Sequence, residues 1–264
     1  MKSSYYKYFA ALLLFGSNGI VASNINLPSY EIVLLRLLLG SLFLITVFTV
    51  SRQRFTFYRN KHTCLYLFIS ASAMGASWML LYEAYQQVGI SIASLAYYCG
   101  PVIVMILSPF LFRETLTWPK IACFLTVLAG MCLVNLQALD EGKTIWGLFC
   151  GLMSAFMYAL MVTANKKAKP ESGLENSLLQ LVIGSFIVVA FVSMQKNFVL
   201  SLTTIDWIPF LLLGLLNTGI GCYLYFSSIT DLPVQTVAIC GYLEPLSACL
   251  LYTSPSPRDI SGSR

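Results

Sequence analysis

Nine stretches of this chain, each about twenty residues long, carry almost no charge: 7–27, 29–50, 64–86, 91–112, 117–137, 144–165, 176–195, 206–229 and 233–252. About 20 apolar residues in a helix cross the ~30 Å hydrocarbon core of a bilayer. Inside lipid the backbone has to satisfy its own polar groups, so such runs are expected to be helices. The expected fold class is therefore an all-α membrane protein with nine transmembrane helices, its short connections implying antiparallel neighbours. Composition agrees, since only 10% of the 264 residues are charged and the mean hydropathy is +0.76. A soluble domain carries about 25% charged residues. The lipid bilayer is thus the first partner.

The charge of +5 raises the question of nucleic acid, but the basic residues are scattered between apolar runs. A nucleic-acid surface needs them clustered on one face. Membrane orientation explains them better. With the N-terminus in the cytoplasm, the inner segments hold Lys2, Lys7, Arg52, Arg54, Arg59, Lys61, Arg113, Lys120, Lys166, Lys167 and Lys169, and the outer ends hold only Arg36, Lys143 and Lys196. The first run continues as a full span rather than stopping at a small-residue cleavage site, so it is read as a span and not as a signal peptide.

Enzyme chemistry lacks its parts. His62 is the only histidine, and the eight cysteines (64, 99, 123, 132, 150, 222, 240 and 249) form no C-x-x-C pair. Metal sites and catalytic triads need such groups in clusters. Gly142-Lys143-Thr144 imitates the end of a P-loop, but Gln137 stands where the first glycine belongs. No metal, no cofactor and no ATP hydrolysis are expected.

Within the runs one pattern is duplicated: Tyr98-Cys99-Gly100-Pro101 and Tyr242-Leu243-Glu244-Pro245, 144 residues apart. A proline within a helix removes a backbone donor and breaks the helix locally. Breaks at matching positions in two halves point to a transporter's central site. The same offset sets Ser94 on Ala238, Val88 on Leu232 and Gly89 on Pro233, and an offset of 141 sets Phe15 to Asn24 on Phe156 to Asn165. With five spans per half, the second half runs upside down relative to the first. The expected domains are 1–139, a five-helix repeat; 140–252, a second repeat of four helices; and 253–264, a tail of different character. That tail holds two prolines, three charges and no apolar run. It is read as a foreign end on a chain truncated before its tenth span.

Phe110-Leu111-Phe112-Arg113-Glu114-Thr115-Leu116-Thr117, with Val127-Leu128-Ala129-Gly130 beyond it, resembles the "lgE-x-l-t … GaxLIxxGv" signature of EamA-type permeases of the drug/metabolite transporter superfamily. Gly241-Tyr242-Leu243-Glu244-Pro245 resembles that family's Glu-Pro motif in span 9. The resemblance covers about residues 5–251. It implies ten spans in two inverted five-helix repeats (5+5), cytoplasmic termini and a substrate cavity between the halves. Gly100-Pro101 departs from the family's frequent Glu-Pro in the first half, and the second "lgE" segment with span 10 is missing.

The carbonyls freed by Pro101 and Pro245 can face a cavity, with Gly100 and Gly241 allowing close approach. Tyr98 and Tyr242 are expected to face each other across the pseudo-axis. Arg36, Glu83 and Glu244 are ionisable groups within spans, which normally face a cavity or a partner. Glu244, in mid-span, is the candidate proton carrier; Arg36 is read as a structural anchor and Glu83 as reaching the interface. Trp78, Tyr98, Tyr158 and Tyr242 are candidates for stacking on a substrate, with Asn18 and Asn217 as mid-span amides. The gating set is Pro101, Gly241, Glu244 and Pro245. Tyr82, Tyr85, Tyr97, Tyr223 and Tyr225 are read as aromatics nearer the span ends, where interface belts form.

The expected function is secondary transport of a small metabolite or drug-like molecule across a bacterial cytoplasmic membrane by alternating access, with proton coupling. The alternatives are an intramembrane enzyme acting on lipid, or an inert truncated fragment. A homodimer is left open.

Overall fold

The computed structural model describes residues 2–25, 27, 29–122, 125, 126, 129, 145–194 and 207–253. Its elements are α1 (Lys2–Gly16), α2 (Asn18–Ser23), α3 (Ser29–Val50), a 3-10 turn (Phe57–Arg59), α4 (Lys61–Tyr97), α5 (Gly100–Phe112), α6 (Ile145–Ala168), α7 (Gly173–Ser193), α8 (Trp207–Leu211), a π-helix (Leu212–Ile220), α9 (Gly221–Ile229), α10 (Val234–Gly241) and α11 (Leu243–Thr253). Among the described residues six helices are long and apolar enough to cross a membrane: Tyr30–Val50, Lys61–Gly89, Ile92–Phe112, Ile145–Ala168, Gly173–Ser193 and Trp207–Ile229. The other three expected spans differ for identifiable reasons. Span 7–27 is interrupted at Ser17 and span 233–252 at Tyr242, while most of 117–137 lies outside the described residues, as do Lys143, Lys196 and the tail 254–264. Large apolar side chains such as Leu13, Leu42, Phe68, Phe110, Phe149, Phe186 and Ile208 stand exposed on the outside of the bundle, the surface that lipid covers.

The duplicated tyrosines sit at duplicated breaks. Tyr98 ends α4 at φ −71, ψ −2, and Tyr242 ends α10 at φ −70, ψ −8. Pro101 and Pro245 lie in the first turns of α5 and α11. There the missing N–H has no intrahelical partner to lose. The chain therefore breaks ahead of each proline rather than at it. Gly89, at φ 78 and ψ 164, turns the chain between the span Lys61–Gly89 and the start of the span Ile92–Phe112; a side chain at that φ would be strained. Pro233 makes the corresponding turn ahead of α10, at φ −56 and ψ 139.

Packing joins early elements to late ones. Helix α1 lies on α9 and α11; α3 on α7 and the π-helix; α4 on α6 and α7; α5 on α6 and α10. Two close backbone approaches fix this arrangement. A Cβ on Gly75 would meet the Gly184 carbonyl oxygen at 2.8 Å, and one on Gly40 would meet the Gly214 carbonyl oxygen and the Gly219 nitrogen at 3.3 Å. Small residues allow such approaches in membranes, where dispersion and close packing hold helices together. Gly151, on the small face expected of span 6, acts likewise: a Cβ on it would meet the Ala96 methyl at 2.8 Å.

Side chains from one element finish the ends of another. The Glu114 carboxylate accepts from Val234 N (2.8 Å) and Gln235 N (3.0 Å), capping α10. Lys166 Nζ donates to the Thr230 and Leu232 carbonyls, both at 2.5 Å, beyond the end of α9. Ser4 Oγ donates to Asp231 at 2.8 Å. The 230–235 turn is thereby held from three sides. Glu175, buried in the first turn of α7, accepts from Thr56 N, Thr56 Oγ1 and Phe57 N at 2.6, 2.6 and 2.9 Å.

Candidate functional site

The two helix breaks meet. Tyr242 Oη donates to the Tyr98 carbonyl at 2.9 Å, so the pair touches hydroxyl to backbone rather than ring to ring. Around this contact lies a group of tyrosines from five elements. Tyr158 Oη and Tyr225 Oη are 3.2 Å apart. Tyr97 meets the Tyr158 ring edge-on at 5.5 Å, and Tyr8 tilts on Tyr225 at the same separation. Tyr8 Oη, fully buried, donates to the Val237 carbonyl at 2.8 Å. Gly241 leaves room here: a Cβ on it would stand 3.6 Å from Tyr8 Oη and 3.7 Å from Tyr158 Oη. Trp78, Tyr85, Tyr97, Tyr158 and Glu244 face other helices yet are only half-buried. They gather where the breaks converge.

The two breaks are unequal for a steric reason. A Cβ on Gly100 would meet Tyr158 Cδ1 at 2.7 Å, so the Tyr158 ring occupies the place of any first-half carboxylate. Glu244 stands 144 residues later, likewise directly ahead of a proline, in α11. It lies within electrostatic reach of Arg36, Tyr97, Tyr158 and Tyr8.

Arg36 is buried, and its guanidinium carbon lies 4.2 Å from the centre of the Trp78 ring. Glu83 is joined to span 2, its carboxylate accepting from Tyr30 Oη and from Gln87 Nε2 at 3.2 Å. Asn217, in the π-helix, brings its amide nitrogen to Leu14 O (3.1 Å), Ser17 Oγ (3.0 Å) and Asn18 Oδ1 (2.9 Å). The two amides singled out as substrate ligands are therefore bonded to one another at the break in span 1. Pro101 is buried and Pro245 half-buried, each behind its tyrosine.

Sequence reading placed Tyr97 and Tyr225 among interface aromatics and did not single out Tyr8. All three belong to the cluster. The usable signal was weak: Tyr8 and Tyr225 read as span-end aromatics until the partner helices are known.

A bundle of apolar helices, broken at its centre and lined there by aromatics and a carboxylate, defines a multi-pass membrane protein of the transporter class. The sequence pattern of the EamA-like transporter family matches residues 3–136 and 145–253, and the chain belongs to that family. An uncharacterized transporter, YxxF of Bacillus subtilis (strain 168), is 26% identical over 254 residues, covering 94% of this chain and 80% of its own length. A crystal structure described only as that of a protein superposes with a TM-score of 0.80 at 17% identity, over 98% of this chain and 92% of its own; it shares the fold.

Proposed function

We propose that this chain is a secondary transporter that moves a small metabolite or drug-like molecule across the bacterial cytoplasmic membrane by alternating access. Its N-terminus is cytoplasmic, following the basic residues of the inner segments. The observation that carries the reading is the half-buried cluster of tyrosines and Glu244 where the helix breaks after Tyr98 and Tyr242 meet. Discontinuous helices at a repeat interface are where transporters bind their cargo.

The two halves act as inverted repeats of five spans each, rocking about this point. In support, the helix pairings are closed under exchange of the halves: span 1 on span 8 answers span 6 on span 3, and span 2 on span 8 answers span 7 on span 3. The turn 86–91 closes the outer side, and the turn 230–235, held by Glu114, Lys166 and Ser4, closes the inner side. Glu244, alone at its break, carries the coupling proton. Tyr98, Tyr158, Tyr242 and Trp78 hold the cargo, while Asn18 and Asn217 position span 1 against span 8.

The test is reconstitution in liposomes with an imposed pH gradient and a broad panel of labelled metabolites. Accumulation driven by the gradient supports the reading. No accumulation of any compound, with the protein correctly inserted, overturns it.

A further inference from the structure

Arg36 has no task in the cycle described above, and its surroundings are unlike those of a structural arginine. It is 7% exposed. An arginine within a membrane normally pairs with a carboxylate or with backbone carbonyls. Arg36 does neither among the described residues. Its Nε is sealed from solvent and has no hydrogen-bond partner. The terminal nitrogens also make no hydrogen bond, but they are absent from the sealed unpartnered atoms, so they retain accessible surface. The Trp78 ring covers the guanidinium at 4.2 Å. A ring at that distance meets the cation without using its N–H donors. The fork therefore keeps its donors free, within electrostatic reach of Glu244, Tyr85 and Cys222.

The equivalent position in the other half sharpens the contrast. Arg36 plus the repeat offset of 144 is Gln180, which is fully buried, accepts from Ser70 Oγ at 3.2 Å and donates to Asn176 at 3.5 Å. A neutral, bonded amide suffices where the position is purely architectural. Placing a charged fork with open donors at the other copy suits a ligand that completes it. Planar guanidinium matches a carboxylate or a phosphate through two parallel hydrogen bonds. Arg36 is the cation that acts on Glu244, Tyr85 and Cys222 among the described residues. One positive charge beside a carboxylate suits a single negative charge rather than a phosphate dianion.

We propose that Arg36 is the receptor for a carboxylate group, and that the cargo is a small monocarboxylate anion seated between Arg36, Trp78 and the tyrosines. This rests on the transporter reading for the word cargo, though not for the binding site itself. The test uses the full chain in lipid nanodiscs, with butyrate and its uncharged isostere butyramide as probes. Binding is read by tryptophan emission, to which Trp78 contributes, and by calorimetry. Butyrate is expected to give a saturable change and butyramide at least a tenfold weaker one. Arg36→Gln should lose the butyrate signal while keeping the helical circular dichroism of the parent. Arg36→Lys, which keeps charge but not the fork, should weaken it about tenfold, and it carries the test if the glutamine variant does not fold. Equal binding of the two probes, unchanged binding in either variant, or tighter binding of inorganic phosphate than of butyrate would overturn the proposal. Butyrate binding without transport of any monocarboxylate would sink the transporter reading and leave the site. Transport of uncharged compounds untouched by Arg36→Lys would do the reverse.

Discussion

Gly100 and Glu244 occupy equivalent places beside equivalent prolines, and the Tyr158 ring decides which can carry a side chain. Gly100→Ala should overpack that contact by about 1–3 kcal/mol, read as a lower melting temperature in detergent and slower uptake. Glu244→Gln removes the carboxyl at the break after Tyr242. We expect it to abolish uptake driven by a pH gradient while preserving exchange of labelled for unlabelled cargo; gradient-driven uptake that persists would remove Glu244 as the proton carrier. At this scale the sequence was informative where a residue is costly in lipid, as Glu244 is, or duplicated, as the tyrosines are. Arg36 was noticed for its cost but read as an anchor, because nothing local reveals that its donors stay free. Tyr8 carried no such mark, since an aromatic near a span end is the common case.

At the scale of helices, the interruptions have two origins. Those after Tyr98 and Tyr242 are written locally by proline and could be read from the chain. The break at Ser17 is not. Asn217 reaches it from 200 residues away, and the π-helix that presents Asn217 widens the local turn. No periodicity of apolar residues encodes a bond between distant side chains, so this break was unreadable, and span 1 was expected to be continuous. Asn217→Ala should cost about 0.6–2 kcal/mol, the range found for hydrogen bonds between membrane helices. Amide exchange should rise around 14–18 more than in α3. Equal protection in parent and variant would mean that the break does not depend on this amide.

At the scale of the whole molecule, the architecture can be tested through its glycines. Gly75 against Gly184 and Gly40 against Gly219 exchange places under the offset of 144, a relation that the sequence contained but that only their contact makes meaningful. Gly75→Ala drives a Cβ into a carbonyl oxygen at 2.8 Å, whereas Gly40→Ala first meets a threonine methyl at 2.9 Å. Both should destabilise, Gly75→Ala the more, because backbone yields less than a side chain. A thermal-denaturation series in detergent checks the order; a larger loss at Gly40 would contradict the geometry. The helical state of the apolar runs that the structure describes, and the breaks after Tyr98 and Tyr242, were legible because lipid leaves few choices of structure. Which helix touches which was not, since every span presents a similar apolar surface.

The cap that Glu114 places on α10 also has a meaning in time. Its amide partners lie 120 residues later in the chain. At synthesis rates of roughly 5–20 residues per second, about 6–24 s separate the carboxylate from the groups it binds. During that interval the carboxylate lacks these two donors. The 230–235 turn and α10 then meet an acceptor already in place, and order of birth helps to select their partner.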